Sequence, residues 1–409
     1  MTYQRLSEIS ADLIDEVESY PFVRTKLFEA MEPPKQNVII LKGARGVGKS
    51  TLLKQFLRKC RSQSNPVFYF SADSSLLEMR LVELAHEYYK RGGVYLAVDE
   101  IHKYLGWQAE IKTIIDSFTS LKLIVSGSSS LSLDYAKADL SRRQVMLHAQ
   151  GLSFREYIEK THQFKFDSYD LKNIITRAEE LSRTIVNVFR KNNVDLITTF
   201  KSYLKSGYFL SKENYPSDNL YYDSLLNTIN GVIDGDFPYV YKDIDNLSRQ
   251  KIKSLLKHIA SKCPFTPNIS ELSKNLGIAN DNTLKKYLYY LSEGEILTNL
   301  YSADKSYKDF QRPQKIFLNN TNFSYAYTDN PLLGSIRETF VANSLKNQGV
   351  LTAPTFGDFC IDGEFLFEVG GKSKDRRQIK SIQSSYVLAD DMLTVEKGKV
   401  PLWLLGFLW

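Results

Sequence analysis

The residues most able to do chemistry lie at positions 43–50, where glycines, a lysine and a hydroxyl follow the pattern GxxxxGK[ST]. The segment comes directly after an apolar run and before the helical pattern TLLKQFLRK. Glycines let successive backbone amides turn toward an anion, and the start of a helix adds its positive end. The pattern therefore predicts a loop that holds the phosphates of a nucleoside triphosphate. The residues predicted to contact this ligand are Gly43, Ala44, Arg45, Gly46, Val47, Gly48, Lys49, Ser50 and Thr51.

Two acids complete the predicted site. Residues 95–98 are apolar or small, and Asp99 and Glu100 follow them. A buried strand would bring Asp99 to the edge of a parallel sheet at which open α/β sheets bind ligands. There Asp99 and the Ser50 hydroxyl would hold Mg²⁺, Lys49 would neutralise the β and γ oxygens, and Glu100 would deprotonate the attacking water. The alternative is that both acids merely cap the helix that follows.

Polar residues after the next apolar run extend this site. The run LKLIVSG carries Ser126, whose hydroxyl could sense the γ-phosphate or position the water; the alternative is a plain polar turn. Arg142 and Arg143 are placed where a cation could stabilise transition-state charge, in the same or a neighbouring subunit, or they are ordinary surface arginines. The chain has no NKxD-type guanine-reading motif, so the predicted ligands are ATP and Mg²⁺.

The elements that must position these residues alternate between strands and helices. Strands alternating with amphipathic stretches predict an α/β domain with a parallel sheet covered on both faces. From residue 152 to about 258 the apolar spacing is helical, which indicates a lid or connector. The five predicted strands are residues 37–41, 67–70, 94–98, 122–125 and 145–147.

Residues 267–300 have the apolar spacing of a helix-turn-helix followed by a strand. Gly277 makes the predicted turn, and Asp281 or Asn282 is expected to cap the second helix. The strand at 295–301 resembles the start of a wing, so the segment resembles a winged helix. Lys285 and Lys286 would contact DNA phosphates. The alternative is a protein-docking module whose lysines face solvent.

The C-terminal part carries carboxylates in the order helix with Glu338, strand with Asp358, strand with Glu368, then a basic helix. This order resembles the PD-(D/E)xK nuclease core, in which carboxylates hold Mg²⁺ and a lysine stabilises the attacking hydroxide. Gly370 stands where that motif requires the lysine, and Lys372, two residues further on, could reach the site from another backbone position. Because glycine supplies no charge, we expect a nuclease-like fold without cleavage; the alternative is an active, ATP-regulated, metal-dependent nuclease.

Taken together, the motifs GARGVGKST, VYLAVDEIHKYLGW, LIVSGSSSL and FLFEVGGKSKDRRQIK make the chain similar to prokaryotic AAA-family P-loop ATPases (AAA+ or STAND-like) with a C-terminal restriction-endonuclease-like region. The resemblance implies the fold and an ATPase. Together with the basic helix-turn-helix segment, it leads us to expect an ATP-hydrolysing switch that acts on or with DNA. The alternatives are a nucleotide-gated scaffold with little turnover, a nuclease and a transcription regulator. The implied partners are ATP, DNA, a protein partner or further copies of the chain. The expected domains are a P-loop NTPase domain at 1–150, a helical region at 151–258, a winged helix at 259–318 and a small α/β nuclease-like domain at 319–409.

The composition of the chain indicates which kind of partner and which compartment to expect. The formal charge is +6, and residues 251–290, with seven lysines against two acids, carry a net +5. Such a basic segment suits an anionic partner. No apolar run reaches the length of a membrane span and no signal peptide is apparent, so a cytoplasmic protein is expected. Three widely separated cysteines predict neither a disulfide framework nor a zinc site.

Overall fold

The chain forms two compact units in this computed structural model. The first contains residues 1–151 and 234–244, and the second contains residues 152–233 and 245–409. The structure describes residues 2–32, 37–74, 76, 78–127, 144–302, 312–375, 377, 379 and 382–409.

A parallel five-stranded sheet forms the centre of the first unit, with strand order β2-β3-β4-β1-β5. The four residues 38–41 of β1 are all at most 6% exposed, and because successive side chains of a strand alternate, both faces of the sheet are covered. All five predicted strands are confirmed, with ends that shift by one or two residues. They are β1 (Val38–Lys42), β2 (Val67–Ser71), β3 (Tyr95–Asp99), β4 (Lys122–Gly127) and β5 (Gln144–His148).

The helices Tyr3–Asp15, Leu81–Lys90 and Trp107–Ser117 pack apolar residues into the same core as the strands. Leu81 and Ile111, for example, lie in one buried cluster with Val38 and Val98. The α-helices are Tyr3–Asp15, Thr25–Glu29, Lys49–Ser62, Leu81–Lys90, Trp107–Ser117 and Phe237–Val240, and the 3-10 helices are Glu16–Ser19 and Ile101–Lys103.

The second unit begins with helices, as the apolar spacing predicts for residues 152–258. Their buried faces form one core with the strands of this unit, in which Phe154, Phe340 and Trp403 are at most 3% exposed. In the part of the chain that the structure describes, no helix is both long and apolar enough to cross a bilayer. The α-helices are Phe154–His162, Leu171–Thr176, Ala178–Lys191, Leu196–Ser206, Asp218–Gly231, Asn246–Ala260, Ile269–Asn275, Asp281–Glu293, Thr321–Tyr327 and Leu333–Leu345.

A seven-stranded mixed sheet with the order β12-β11-β10-β9-β8-β6-β7 belongs to the second unit. The predicted boundary between the winged-helix and nuclease-like domains falls at residue 318, but strands before and after it lie in this one sheet. The two sets are joined by the parallel pairing of β6 with β8. The predicted division of residues 151–409 into three domains stays a prediction. The strands are β6 (Leu297–Ser302), β7 (Lys315–Leu318), β8 (Leu351–Ala353), β9 (Phe359–Ile361), β10 (Phe365–Gly370), β11 (Ser385–Ala389) and β12 (Lys399–Pro401).

Helices Ile269–Asn275 and Asp281–Glu293 lie where the helix-turn-helix pattern predicts helices, with Gly277 between them at a φ of 59°. The expected cap is wrong: the side chain of Asn280 accepts the amide of Thr283 and begins the second helix. Asp281 instead accepts hydrogen bonds from the hydroxyls of Ser270 and Ser273, at 2.8 and 3.2 Å. Its carboxylate therefore ties the two helices together.

Candidate functional site

The loop at residues 43–50 connects the end of β1 to the helix Lys49–Ser62. Gly46 and Gly48 have φ values of 87° and 90°, a region that glycine enters without steric cost. Gly43 also lies against the residue that follows β5: a Cβ atom at this position would be 2.0 Å from the carbonyl oxygen of Ala149. The glycines of the motif are thus required by backbone conformation and by close packing.

Lys49 is only 4% exposed, and its ammonium lies over the loop. Its Nζ donates to the carbonyl oxygens of Gly43 and Ala44 at 2.9 and 2.8 Å. A buried ammonium needs such partners, because burial without them is costly. Ser50 and Thr51 follow in the first helical turn and are half-buried. The ammonium of Lys49 and the hydroxyls of Ser50 and Thr51 therefore lie together at the start of a helix.

Asp99 ends β3 and is 2% exposed. Its carboxylate is held from both neighbouring strands: the hydroxyl of Tyr69 in β2 donates to Oδ2 at 2.7 Å, and the hydroxyl of Ser126 in β4 donates to Oδ1. Sequence reasoning identified Ser126 but missed Tyr69. Burial and the nearby negative charge of Asp99 raise the pKa of the Tyr69 hydroxyl, so Tyr69 stays a proton donor to this acid.

Glu100 follows with a φ of 51°, a left-handed conformation that is uncommon for a residue other than glycine and often marks a functional position. Its amide lies 3.1 Å from Asp99 Oδ1 and 3.3 Å from Ser126 Oγ. Burial raises the pKa of its carboxyl, the charges of Lys49 and His102 oppose this shift, and those of Asp99 and Asp236 reinforce it. A base of raised pKa accepts a proton more readily at neutral pH.

Glu100 occupies the N-cap position of the 3-10 helix Ile101–Lys103, but its side chain makes no capping hydrogen bond, and the N-cap of the helix Trp107–Ser117 is Gly106. Sequence reasoning also missed Asp236, which contacts Arg45 and His102 and belongs to the same compact unit although it is far away in the sequence. Arg142 and Arg143 lie outside the residues that the structure describes.

The carboxylates of the C-terminal part meet lysines. Lys315 Nζ lies 3.4 Å from both Glu338 Oε2 and Asp358 Oδ1. Lys374 Nζ lies 2.5 Å from Glu368 Oε1. Burial alone would lower the pKa of Lys374, but the hydrogen bond to Glu368 and the charges of Asp358 and Glu338 raise it. The three acids therefore lie near one another, with two ammonium groups among them.

Lys372, by contrast, is 62% exposed and pairs with Glu396 at 3.5 Å. The expected basic helix after Glu368 is wrong for the described residues between 371 and 384, which form turns and irregular backbone and no helix. This turn brings Lys374 back to β10, where its Cβ would lie only 2.6 Å from a Cβ added at Gly370. Among the described residues, no group of three or more histidine, cysteine, aspartate and glutamate side chains is arranged to hold a metal ion.

Residues 35–158 match the family model described as an AAA domain. The match begins just before β1 and includes the phosphate loop, Asp99, Glu100 and Ser126. The matched residues include the parallel sheet and the phosphate loop, so this part of the chain is similar to an AAA domain with a P-loop. The match does not extend to residues 159–409.

An uncharacterized protein of Methanocaldococcus jannaschii is 26% identical over 427 residues, an alignment that covers 95% of this chain and 88% of the relative. The replication initiator DnaA bound to AMPPCP and single-stranded DNA has 14% identity and a TM-score of 0.31, covering 68% of this chain and 92% of that chain. AMPPCP-bound DnaA from Aquifex aeolicus has 13% identity and a TM-score of 0.27, covering 66% and 86%. TM-scores this low establish no common architecture for the whole chain.

Proposed function

We propose that the chain binds ATP with magnesium and hydrolyses it, and that this nucleotide cycle drives a switch that acts on or with DNA. The observation that carries the proposal is the meeting of Lys49, Asp99 and Glu100 at one edge of the parallel sheet. The charge of Lys49 reaches Glu100, and the carboxylate of Asp99 contacts the backbone of Glu100. An anion-binding loop beside a pair of acids is what phosphoryl transfer to water needs.

The fit of the residues to the ligand supports this assignment. Backbone amides of residues 43–50 and the ammonium of Lys49 would hold the phosphates, and Lys49 would exchange its two carbonyl partners for phosphate oxygens. The Ser50 hydroxyl and the Asp99 carboxylate are hard oxygen ligands of the kind that Mg²⁺ prefers. When bound, the ion would neutralise charge on the β and γ oxygens.

Glu100 would orient and deprotonate the attacking water. Its backbone amide lies against Asp99 and Ser126, so the two acids are fixed relative to one another. Ser126 and Tyr69 would keep the Asp99 carboxylate aimed at the ion from two sides. Arg142 or Arg143 would supply a cation for the transition state, in the same or a neighbouring subunit.

Phosphate release at saturating ATP and magnesium tests this function. We expect turnover above about 1 per minute, which is lost when EDTA removes the metal. Adding single- or double-stranded DNA should raise the rate if the ATPase and DNA-binding parts act together. Tight ATP binding with no measurable turnover would instead favour the second candidate, a nucleotide-gated scaffold.

The DNA part of the proposal rests on the basic helix-turn-helix segment. Lys286 is exposed and Lys285 is half-buried, both in the second turn of the helix Asp281–Glu293. The strands β6 and β7 that follow are antiparallel, as in a wing. Lysines on such a helix would contact backbone phosphates, so binding would depend strongly on salt and little on base sequence.

Replacing Lys285 and Lys286 with glutamate is expected to weaken DNA binding at least about 10-fold at low salt, because phosphate contacts become repulsive. The slope of affinity against salt should fall by about 2, one for each lost contact. Fluorescence anisotropy with labelled DNA measures both quantities. A matched control replaces the exposed Lys172 and Lys191, on other helices, with glutamate, which changes the net charge equally. Equal binding by both double variants would remove this helix from the DNA site.

The C-terminal carboxylates are expected to give no nuclease activity. Lys315 and Lys374 already pair with Glu338, Asp358 and Glu368, and a divalent ion would have to displace these ammonium groups. We expect supercoiled plasmid to remain intact with Mg²⁺ or Mn²⁺, with and without ATP. Nicking that requires metal and disappears in Asp358→Ala would contradict this expectation.

A further inference from the structure

Residues 234–244 belong to the P-loop unit although they follow it by more than eighty positions in the sequence. The segment starts in the π-helix Val232–Asp236 and continues as the helix Phe237–Val240. Asp236 and Phe237 are each 1% exposed. A charged side chain is rarely buried this deeply unless it is paired.

The Asp236 carboxylate meets three basic side chains of the P-loop unit. Its Oδ1 lies 3.5 Å from Arg45, 3.7 Å from His102 Nε2 and 3.7 Å from Lys103 Nζ. Arg45 belongs to the phosphate loop, while His102 and Lys103 belong to the 3-10 helix that follows Glu100. Lys103 also lies over the ring of Tyr239, 5.7 Å from its centroid. One buried acid thus connects the phosphate loop to the turn that carries the predicted base.

His102 lies between two carboxylates. Its side chain is fully buried, and its Nε2 is 3.6 Å from Glu100 Oε2 and 3.7 Å from Asp236 Oδ1. Both distances are longer than a hydrogen bond, so they are electrostatic contacts. Because a ring nitrogen carries at most one hydrogen, it can approach only one of the two carboxylates closely at a time. Asp236 and Glu100 are therefore alternative partners of His102.

Arg45 is the partner of Asp236 that a nucleotide can reach. Its side chain is 41% exposed, and its position in the loop puts it beside the proposed phosphates. A guanidinium binds phosphate strongly and with two parallel hydrogen bonds. A bound triphosphate would draw Arg45 away from Asp236.

We propose that Asp236 is a positioning residue for ATP hydrolysis. Once a bound triphosphate holds the Arg45 side chain, Asp236 attracts His102 away from Glu100. Glu100 is then free to accept the proton of the attacking water. Before ATP arrives, Arg45 occupies Asp236 and His102 is shared with Glu100, so the base is restrained. This inference rests on the proposed ATPase function and adds that triphosphate binding itself releases the base.

The test compares kcat and KM for ATP in the full-length protein and its variants. In Asp236→Asn the side chain keeps its shape but loses its charge. His102 then stays beside Glu100, and no carboxylate at position 236 competes with the phosphates for Arg45. We expect kcat to fall at least about 10-fold while KM falls or stays within about twofold. Asp234→Asn, an exposed residue of the same segment, is the matched control and should match wild type.

A second substitution separates positioning from a purely structural role. His102→Leu removes the donor that restrains Glu100 and has a similar size. Added to Asp236→Asn, it should raise kcat at least about fivefold over Asp236→Asn alone. A structural role would instead raise KM, lower the melting temperature and show no rescue.

Three results would overturn the inference: a kcat of Asp236→Asn within about twofold of wild type, a matching rise in KM, or no rescue by His102→Leu.

Should Asp236→Asn fail to fold, the variant Arg45→Gln, whose side chain lies at the surface, is used for the test instead. It should raise KM at least about fivefold with a smaller change in kcat, and an equal or larger fall in kcat would contradict the proposal. If wild type shows no turnover that depends on Lys49, the proposed ATPase function fails as well.

Discussion

Replacing Glu100 with glutamine is expected to lower ATP turnover at least about 100-fold while ATP binding is retained. Glutamine keeps the size and hydrogen-bonding groups of the side chain, but it cannot accept the proton of the attacking water. Burial is the largest cause of the raised pKa of the Glu100 carboxyl, and a raised pKa suits a base that works near neutral pH. Phosphate release at saturating ATP, together with a direct binding measurement, checks both halves of the expectation.

The control for this substitution is Glu87→Gln. Glu87 lies on the helix Leu81–Lys90, is 45% exposed and pairs with Arg91 at 3.8 Å, away from the loop. It should leave turnover within about twofold of wild type. A Glu100→Gln protein that turns over ATP within threefold of wild type would mean that another group acts as the base.

Replacing Lys49 with alanine is expected to weaken ATP binding at least about 100-fold and to abolish turnover. The change removes the one buried cation of the loop, and charge-assisted hydrogen bonds contribute about 1.5–3 kcal/mol each. It also leaves the carbonyl oxygens of Gly43 and Ala44 without the donor that holds them. Titration with ATP and magnesium, with thermal melting to establish folding, measures the effect.

Lys59→Ala is the matched control because it removes the same side chain from the same helix. Lys59 is 42% exposed and pairs with Glu32 at the surface. Its loss should leave ATP affinity unchanged. Equal affinity in the Lys49 and Lys59 variants would show that the loop does not bind the phosphates.

The phosphate loop and the acids could be found from sequence because each depends on a short, local pattern. The glycines at 46 and 48 are needed for backbone conformations that the motif itself encodes, and the strand that carries Asp99 reads as a continuous apolar run. The five strands follow from the same kind of local signal. Their order, β2-β3-β4-β1-β5, depends on pairing between distant segments and could not be read off.

The partners of the acids were missed for a similar reason. Tyr69 lies thirty residues before Asp99, in an apolar strand where a tyrosine looks like an ordinary core residue. Tyr69 pairs with Ala97, two residues before Asp99, and its long side chain reaches the end of the strand. Asp236 offered no such signal, because a lone acid in a helical stretch is usually exposed and only the fold brings it to Arg45.

Two predictions were wrong: the cap of the helix Asp281–Glu293 and the basic helix after Glu368. Asn280 caps the helix Asp281–Glu293, and Asp281 accepts the hydroxyls of Ser270 and Ser273 instead. After β10 the chain turns instead of forming a helix, which brings Lys374 to Glu368. Both outcomes depend on contacts between side chains that spacing alone does not reveal.

Calorimetric titration of the folded protein with ATP and magnesium tests the central claim most directly. We expect a heat of association with one nucleotide per chain, which disappears in Lys49→Ala and persists in Glu100→Gln. A wild-type protein that is folded by its thermal melt but gives no heat with ATP and magnesium would contradict the account.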